Sequence, residues 1–477
     1  MILLTFLSVC ILGTSVIHAN DNQQPSLIRL PFIEKTYPTD SIIKRDGYQN
    51  LLYNSHSSQY LIHVDIGTPG QTFAVTLDTG SGDLWVPSTD CPSVVCPVPK
   101  FNPTQSSTYN NTTIPFKITY GLGSANGTYI KETVTIGGAV VKQQQLGLAI
   151  ASSNIFTRMT ALGLRNTTSD DQVPASGILG LGYPGLTSIA HQNGSAYNPF
   201  VFNLLQQNLI QNPIFSIYLN NAQTLGWSGE VIFGGIDNTK YSGSINYVPV
   251  QQTTAGASST GYMFWTVLGQ GFNVIGGKGN TSSLQFSSPV PSIIDTGTTL
   301  SYLPLNMVKG LMLSIFGPGV YQQDVSTGMF MVDCAMASES NVTVQFQMTS
   351  SSSATNNSAA VINVALTDMI LQDASGCYLA VAPSDDTSSS TFGPSSTLIG
   401  QSILRSAYMV FDMQQNRIGF AQTIFTSATN NNNSNNSGGS SGGGKNGSTS
   451  GSSIVNLNHG WNRIILVSVF VYYLYLL

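Results

Sequence analysis

The tripeptide Asp-Thr-Gly occurs twice in this chain of 477 residues, at 78–80 and 295–297, and its surroundings repeat with it. The two copies read Leu77-Asp-Thr-Gly-Ser81 and Ile294-Asp-Thr-Gly-Thr298, each led in by apolar, strand-like residues. After a long interval each is followed by an apolar-apolar-Gly triplet, Ile178-Leu179-Gly180 and Leu398-Ile399-Gly400. One such tripeptide would be an ordinary loop. Two copies of one arrangement point to duplicated lobes related by an approximate two-fold axis, and the length allows each lobe its own core.

The intervening text is β-like. Tyr60-Leu-Ile-His-Val-Asp-Ile66 leads into the turn signature Gly67-Thr-Pro-Gly70 and then Phe73-Ala-Val-Thr-Leu77. Short apolar runs broken by Gly, Pro or Asn continue to about Phe425. Helical signals are few, starting at Pro199 and at Pro304, where the missing proline N–H costs little. The charged fraction is only 8%, far below the usual quarter, which disfavours helical bundles built on Glu–Lys pairs. We therefore expect an all-β, bilobal fold with a cleft between lobes at 46–240 and 241–425. The net charge of −5 and the absence of a basic cluster exclude a nucleic-acid partner.

Both ends read as processing signals. Residues 1–19, an apolar run ending at Ala19, have the form of a secretory signal peptide. Residues 20–45 carry Arg29, Lys35, Lys44 and Arg45 and end in a dibasic pair, which reads as a propeptide with a mature start near Asp46. Residues 46–425 hold 11 basic and 19 acidic residues, a net charge of −8, so a basic prosegment would be attracted to the body as an internal inhibitor. Residues 426–453, almost wholly Asn, Ser, Gly and Thr, form a flexible stalk. Its Gly438-Gly-Ser440-Ser-Gly442 matches a serine-hydrolase pattern by composition alone, with no strand before it or helix after it. Residues 454–477 end in the apolar run Ile464–Leu477, broken only by Ser468, and with the small residues Asn446, Ser450 and Gly451 upstream they match a GPI-anchor signal. The expected location is the cell surface.

Sequons at Asn110, Asn111, Asn126, Asn166, Asn193, Asn280, Asn341 and Asn356 fit a secreted glycoprotein. Cys10 leaves with the signal peptide, and Cys91, Cys96, Cys334 and Cys377 remain, an even set suited to an oxidising compartment. Of three connectivities, the short Cys91–Cys96 loop and the isolated later pair favour 91–96 and 334–377. No His stands at metal-ligand spacing; His63 and His191 are lone residues best read as structural. We expect no metal and no cofactor.

The chemistry of two converging Asp-Thr-Gly loops is specific. Two carboxyls close together repel, so both cannot ionise at once. One stays protonated and can act as acid while the other acts as base, and the proton belongs to the pair. Gly80 and Gly297 would let backbone approach the carboxylates. Ser81 and Thr298 would hydrogen-bond their outer oxygens, and Thr79 and Thr296 would lock the loops together.

The stretch Asp78-Thr-Gly-Ser-Gly-Asp-Leu-Trp-Val-Pro-Ser88 resembles the first active-site segment of the pepsin family. Thr119-Tyr-Gly-Leu-Gly-Ser124 looks like its flap, and Gly177–Gly182 like the Gly segment that follows. Ile294–Thr299, Leu398–Gly400 and Val410–Phe420 match the second lobe, so the resemblance spans about 58–423. It implies a pepsin-like aspartic endopeptidase with Asp78 and Asp295 as its catalytic pair, acting on extended polypeptides as a monomer in acid. It also implies that Tyr120 and Gly121 cover the substrate, that Tyr120 faces Trp85, and that Thr299 lies in the substrate site. The anchored tail is similar to that of the yapsin branch of fungal enzymes. Gln401 stands where the family often carries Asp, Leu122 where a small polar residue is common, and the family's third disulfide is absent. A catalytically inactive surface binding protein on the same fold is the alternative. Its usual mark, a damaged motif, is missing here.

Overall fold

The computed structural model describes residues 48–425 apart from 56–58, 122, 157–172, 193–194, 223, 225, 256–258, 281, 325–328, 338–340, 351–357, 374–375 and 385–395. The signal, propeptide, stalk and anchor segments lie outside the described residues, as do Leu122, Asn166, Asn193 and Asn356.

Strands dominate, and they fall into two large sheets. In the first, of 13 strands, Tyr241–Pro249, Arg417–Thr423, Ala407–Asp412, Ile214–Tyr218, Gly226–Phe233 and Tyr48–Ser55 lie side by side. The same sheet continues through Gln59–Ile66, Gln71–Asp78, Ile178–Gly180, Leu84–Pro87, Ala139–Ser153, Gly123–Ile136 and Asn110–Tyr120. The second sheet has seven strands, with Thr266–Ile275, Ser283–Ile294, Thr397–Ile399 and Ser301–Leu303 near its middle.

The sequence repeat has a structural counterpart. Gln71–Asp78 pairs in parallel with Ile178–Gly180, which pairs antiparallel with Leu84–Pro87, which in turn runs parallel to Ala139–Ser153. In the other half Ser283–Ile294, Thr397–Ile399, Ser301–Leu303 and Val381–Pro383 repeat that succession of parallel, antiparallel and parallel pairings. The apolar-apolar-Gly triplets are thus the central short strands against which each Asp-Thr-Gly loop is seated. The molecule has an all-β, bilobal architecture with both loops at the junction of its halves. Late residues 407–423 join the first sheet between Ile214–Tyr218 and Tyr241–Pro249, so chain order and sheet membership do not divide the molecule at one point.

The main apolar core runs through both halves and includes Phe215 stacked on Phe411 at 4.6 Å, with Trp265 against both. A second aromatic cluster, Trp85, Phe116, Tyr120, Tyr129 and Phe156, fills the space beneath the hairpin of Asn110–Tyr120 and Gly123–Ile136. Helices occupy Phe200–Gln206 and Leu305–Phe316, each immediately preceded by its proline. The second buries Val308, Leu311, Met312 and Ile315, the spacing of one helical face. Disulfides join Cys91 to Cys96 and Cys334 to Cys377. The described sequon residues Asn110, Asn111, Asn126, Asn280 and Asn341 are all exposed.

Candidate active site

Asp78 is the last residue of its strand, and Asp295 directly follows Ser283–Ile294, so each carboxyl sits where a paired strand turns into a loop. The ladder holds both backbones: Leu181 N–H donates to the Asp78 carbonyl at 2.8 Å, and Asp295 N–H to the Ile399 carbonyl at 3.0 Å.

The hydrogen bonds around the two carboxyls mirror each other. Gly80 N–H donates to Asp78 Oδ1 at 2.8 Å and Gly297 N–H to Asp295 Oδ1 at 2.8 Å. Ser81 Oγ donates to Asp78 Oδ2 at 2.5 Å and Thr298 Oγ1 to Asp295 Oδ2 at 2.6 Å. The two side chains also hydrogen-bond each other. Each glycine packs against the opposite carboxyl. A Cβ on Gly80 would lie 2.6 Å from Asp295 Cγ, and one on Gly297 would lie 2.3 Å from Asp78 Oδ1. Glycine is required here by close approach, because real Cβ contacts do not fall below about 3 Å.

Thr79 and Thr296 tie the loops across the junction. Thr79 Oγ1 donates to the Ile294 carbonyl at 2.7 Å and accepts from Thr296 N–H at 3.0 Å. Reciprocally, Thr296 Oγ1 donates to the Leu77 carbonyl at 3.0 Å and accepts from Thr79 N–H at 3.2 Å. All four groups are buried, so these bonds are made in the absence of competing water.

Burial dominates the electrostatics. It pushes the Asp78 carboxyl well above the usual range, with the like charge of Asp295 adding and the Ser81 hydroxyl opposing. Asp295 is raised by burial too, opposed by its bonds from Thr298, Asp78 and Gly297. Two buried, mutually hydrogen-bonded carboxyls with no cation on them retain a shared proton to higher pH than isolated carboxyls do.

Trp85 Nε1 donates to the Tyr120 hydroxyl at 2.8 Å, and Tyr120 closes its hairpin by pairing with Gly123, leaving Gly121 exposed at the tip. Thr299 is buried beside Thr298 and accepts from Ser402 N–H through its carbonyl. Gln401 is fully buried behind the second loop: its Nε2 donates to the Thr296 carbonyl at 2.7 Å and its Oε1 accepts from Arg405 at 3.2 Å. It therefore supports the loop rather than lining a substrate pocket.

Asp83 lies in the same segment as Asp78, five residues after it, and carries no role that its neighbours in sequence announce. Its carboxylate is fully buried and gathers Tyr129, Tyr197 and Ser188, which lie 46, 114 and 105 residues away. No local pattern signals such a cluster beyond the oddity of an acid in an otherwise apolar Leu-Trp-Val context. Among the described residues no three His, Cys, Asp or Glu side chains converge to ligate a metal ion.

Comparison with known proteins agrees with this geometry. The family model described as eukaryotic aspartyl protease matches residues 59–423. Mucorpepsin of Rhizomucor pusillus is 32% identical over 375 residues, covering 78% of this chain and 80% of the relative. Cathepsin E of Rattus norvegicus is 33% identical, over 79% of this chain and 83% of its own length. The probable aspartic-type endopeptidase opsB of Aspergillus oryzae is 29% identical, over 87% and 80%.

Proposed function

Because the chain belongs to the eukaryotic aspartyl protease family and is an aspartic endopeptidase, we propose that Asp78 and Asp295 are its shared-proton catalytic pair. The observation that carries the assignment is the reciprocal packing of Gly80 on Asp295 and Gly297 on Asp78, which leaves two carboxyls face to face with matched donors on their outer oxygens. A water between them loses a proton to the ionised carboxylate while the protonated partner gives its proton to the peptide carbonyl oxygen. The water oxygen bonds to the carbonyl carbon, and the gem-diol then collapses. The C–N bond breaks as the carboxyl that took the water proton protonates the amine nitrogen, while the other carboxylate takes back a proton from a diol hydroxyl. No bond to the enzyme forms at any stage. Above the raised pKa of the pair the shared proton is lost, so activity falls as pH rises and the working range is acidic.

Tyr120 closes the substrate site from above, oriented by Trp85, and extended polypeptides lie beneath it. Residues 20–45, basic at Arg29, Lys35, Lys44 and Arg45, act as an inhibitory prosegment on a body of net charge −8. The enzyme is a zymogen, made monomeric and held at the cell surface by a GPI anchor. This part of the reading rests on the composition of the two chain ends.

The test is cleavage of a diverse peptide pool by the matured protein at pH 3–7, with and without pepstatin. Asp78→Asn and Asp295→Asn abolish turnover while leaving the fold intact. Substantial activity in either variant contradicts the assignment, and inactivity of the wild type under all conditions favours a binding protein. A mature amino terminus well before Lys44 overturns the propeptide reading. Resistance to phosphatidylinositol-specific phospholipase C overturns the anchor.

A further inference from the structure

We propose that Asp83 is a positioning residue: its ionised carboxylate ties the substrate-covering hairpin to the catalytic loop, and protonation releases part of that tie. The proposal deepens the protease reading and rests on it for the hairpin's role. Asp83 stands five residues after Asp78 and is 0% exposed. Its Oδ1 accepts from the hydroxyls of Tyr129 and Tyr197, both at 2.8 Å, and its Oδ2 accepts from Ser188 N–H at 2.7 Å. Tyr129 belongs to the returning strand of the hairpin, Gly123–Ile136. The outgoing strand is reached through Ser188, whose Oγ donates to the Lys117 carbonyl, joined there by Gln192 Nε2 at 2.8 Å. Both strands of the hairpin are thus fastened to the loop that carries Asp78 by way of one carboxylate. The contact extends to the tip, since Tyr129 packs edge-on against Phe116 at 5.1 Å, and Phe116 lies 6.5 Å from Trp85, the partner of Tyr120.

The groups that face Asp83 explain why this tie responds to pH. From the hairpin come Tyr120 and Tyr129, and from the 195–199 segment Tyr197. From the short helix Ser188–His191 comes a backbone amide, while the His191 ring is engaged by the Gly185 backbone. Lys117 offers only its carbonyl and its side chain is exposed. Among the described residues three neutral donors hold the charge and no cation does. Burial accordingly outweighs the hydrogen bonds and pushes the carboxyl up to about 6. A proton taken from solvent turns one acceptor oxygen into a donor. The amide N–H of Ser188 can only donate, so a tyrosyl hydroxyl must reverse or leave, and the bonds that remain on a neutral acid are weaker than those on a carboxylate, which slackens the hold on the hairpin. Opening of the hairpin with Asp83 still buried removes a donor and raises the carboxyl's proton affinity further, so a proton favours opening: in acid the cover is looser, and near neutrality it is held down.

The measurement is amide hydrogen exchange of peptides from residues 110–136 at pH 4.5 and 7.0, corrected for the intrinsic chemical rate. It compares Asp83→Asn with the wild-type residue, both carrying Asp295→Asn to prevent self-digestion. Asn mimics the protonated acid in pairing a donor-bearing atom with an acceptor oxygen and carrying no charge. At pH 7.0 the Asp83→Asn hairpin exchanges about tenfold faster, the equivalent of one hydrogen bond; at pH 4.5 the two agree within about threefold. Equal exchange at pH 7.0, or the same ratio at both pH values, overturns the proposal. Tyr197→Phe, which removes one donor, moves the midpoint of the hairpin transition up by about one pH unit, and an unmoved midpoint also overturns it, even where Asp83→Asn does not fold. The readout requires no proteolysis, so its failure is separate from failure of the protease reading, which the dyad variants judge.

Discussion

Replacing Thr79 by Val separates the hydroxyl that joins the two Asp-Thr-Gly loops from the shape of the side chain that carries it. Val is close to isosteric, but it removes an oxygen that accepts from Thr296 N–H at 3.0 Å and donates to the Ile294 carbonyl at 2.7 Å. Thr79 and Thr296 are both 0% exposed, so no water replaces the missing partner. An unmet buried N–H costs about 1–3 kcal/mol, and the lost bond to the carbonyl adds about 1 kcal/mol. The expected destabilisation is about 2–4 kcal/mol, within the roughly 5–15 kcal/mol that holds a domain folded. Ile294 and Thr296 flank Asp295, so relaxation of this loop displaces a reacting carboxyl. A shift of about 1 Å is worth about 100-fold in rate. We expect kcat to fall about 10- to 100-fold with KM within about threefold. Urea unfolding at a fixed acidic pH and steady-state peptide hydrolysis measure the two effects. Thr79→Ser, which restores the hydroxyl, should recover most of both. A Val variant within about 0.5 kcal/mol of wild type, or a Ser variant as damaged as Val, would refute the hydroxyl argument.

Gly297→Ala places a methyl 2.3 Å from Asp78 Oδ1 and forces the carboxyls apart; kcat/KM drops at least about 1000-fold with unchanged far-UV circular dichroism, and retention of a tenth of the activity would contradict the packing. Removing the Cys334–Cys377 bridge, with its sequence separation of 43, costs about 4 kcal/mol, against about 2 kcal/mol for Cys91–Cys96 with a separation of 5, as paired Cys→Ser variants show in urea melts. Raising Asp83 from 3.8 to about 6 means the native state binds the extra proton between those values, so stability is greatest below the lower one. About 3 kcal/mol of that stability is lost as pH rises past the upper value, and Asp83→Asn flattens that part of the pH–stability curve.

The parts of this fold that were legible in sequence are those encoded locally and twice. Leu77–Ser81 and Ile294–Thr298 announced both loops, and the triplets at 178–180 and 398–400 announced the strands that seat them. Pro199 and Pro304 marked helix starts because a missing N–H has a local consequence. What sequence hid depends on distant partners. The Trp85–Tyr120 contact is implied by resemblance alone, while the meeting of Asp83 with Tyr129 and Tyr197 has no local signature, since nothing at 83 states what will stand opposite. Likewise nothing local at Gln401 states that its amide will hold the Thr296 carbonyl. Residues 407–423 gave no hint that they would join a sheet begun by residues 48–55.

The composition and the electrostatics have one origin. A body with 11 basic residues against 19 acidic ones has few cations to spare for its interior. Asp78, Asp83 and Asp295 are supported by hydroxyls and backbone amides instead. Neutral donors do not offset the loss of water, and each of these carboxyls is raised, burial being the largest cause. Even Asp368, which does face a cation in Arg405, is raised because burial prevails. All four native carboxyls therefore hold protons that the unfolded chain has already released, and their contributions to the pH–stability curve share one sign: present in acid, lost as pH rises. The shared proton of Asp78 and Asp295 is lost from the same side. A single cation beside either catalytic carboxyl would stabilise its charge at neutral pH, and would remove the protonated partner on which the proposed reaction depends.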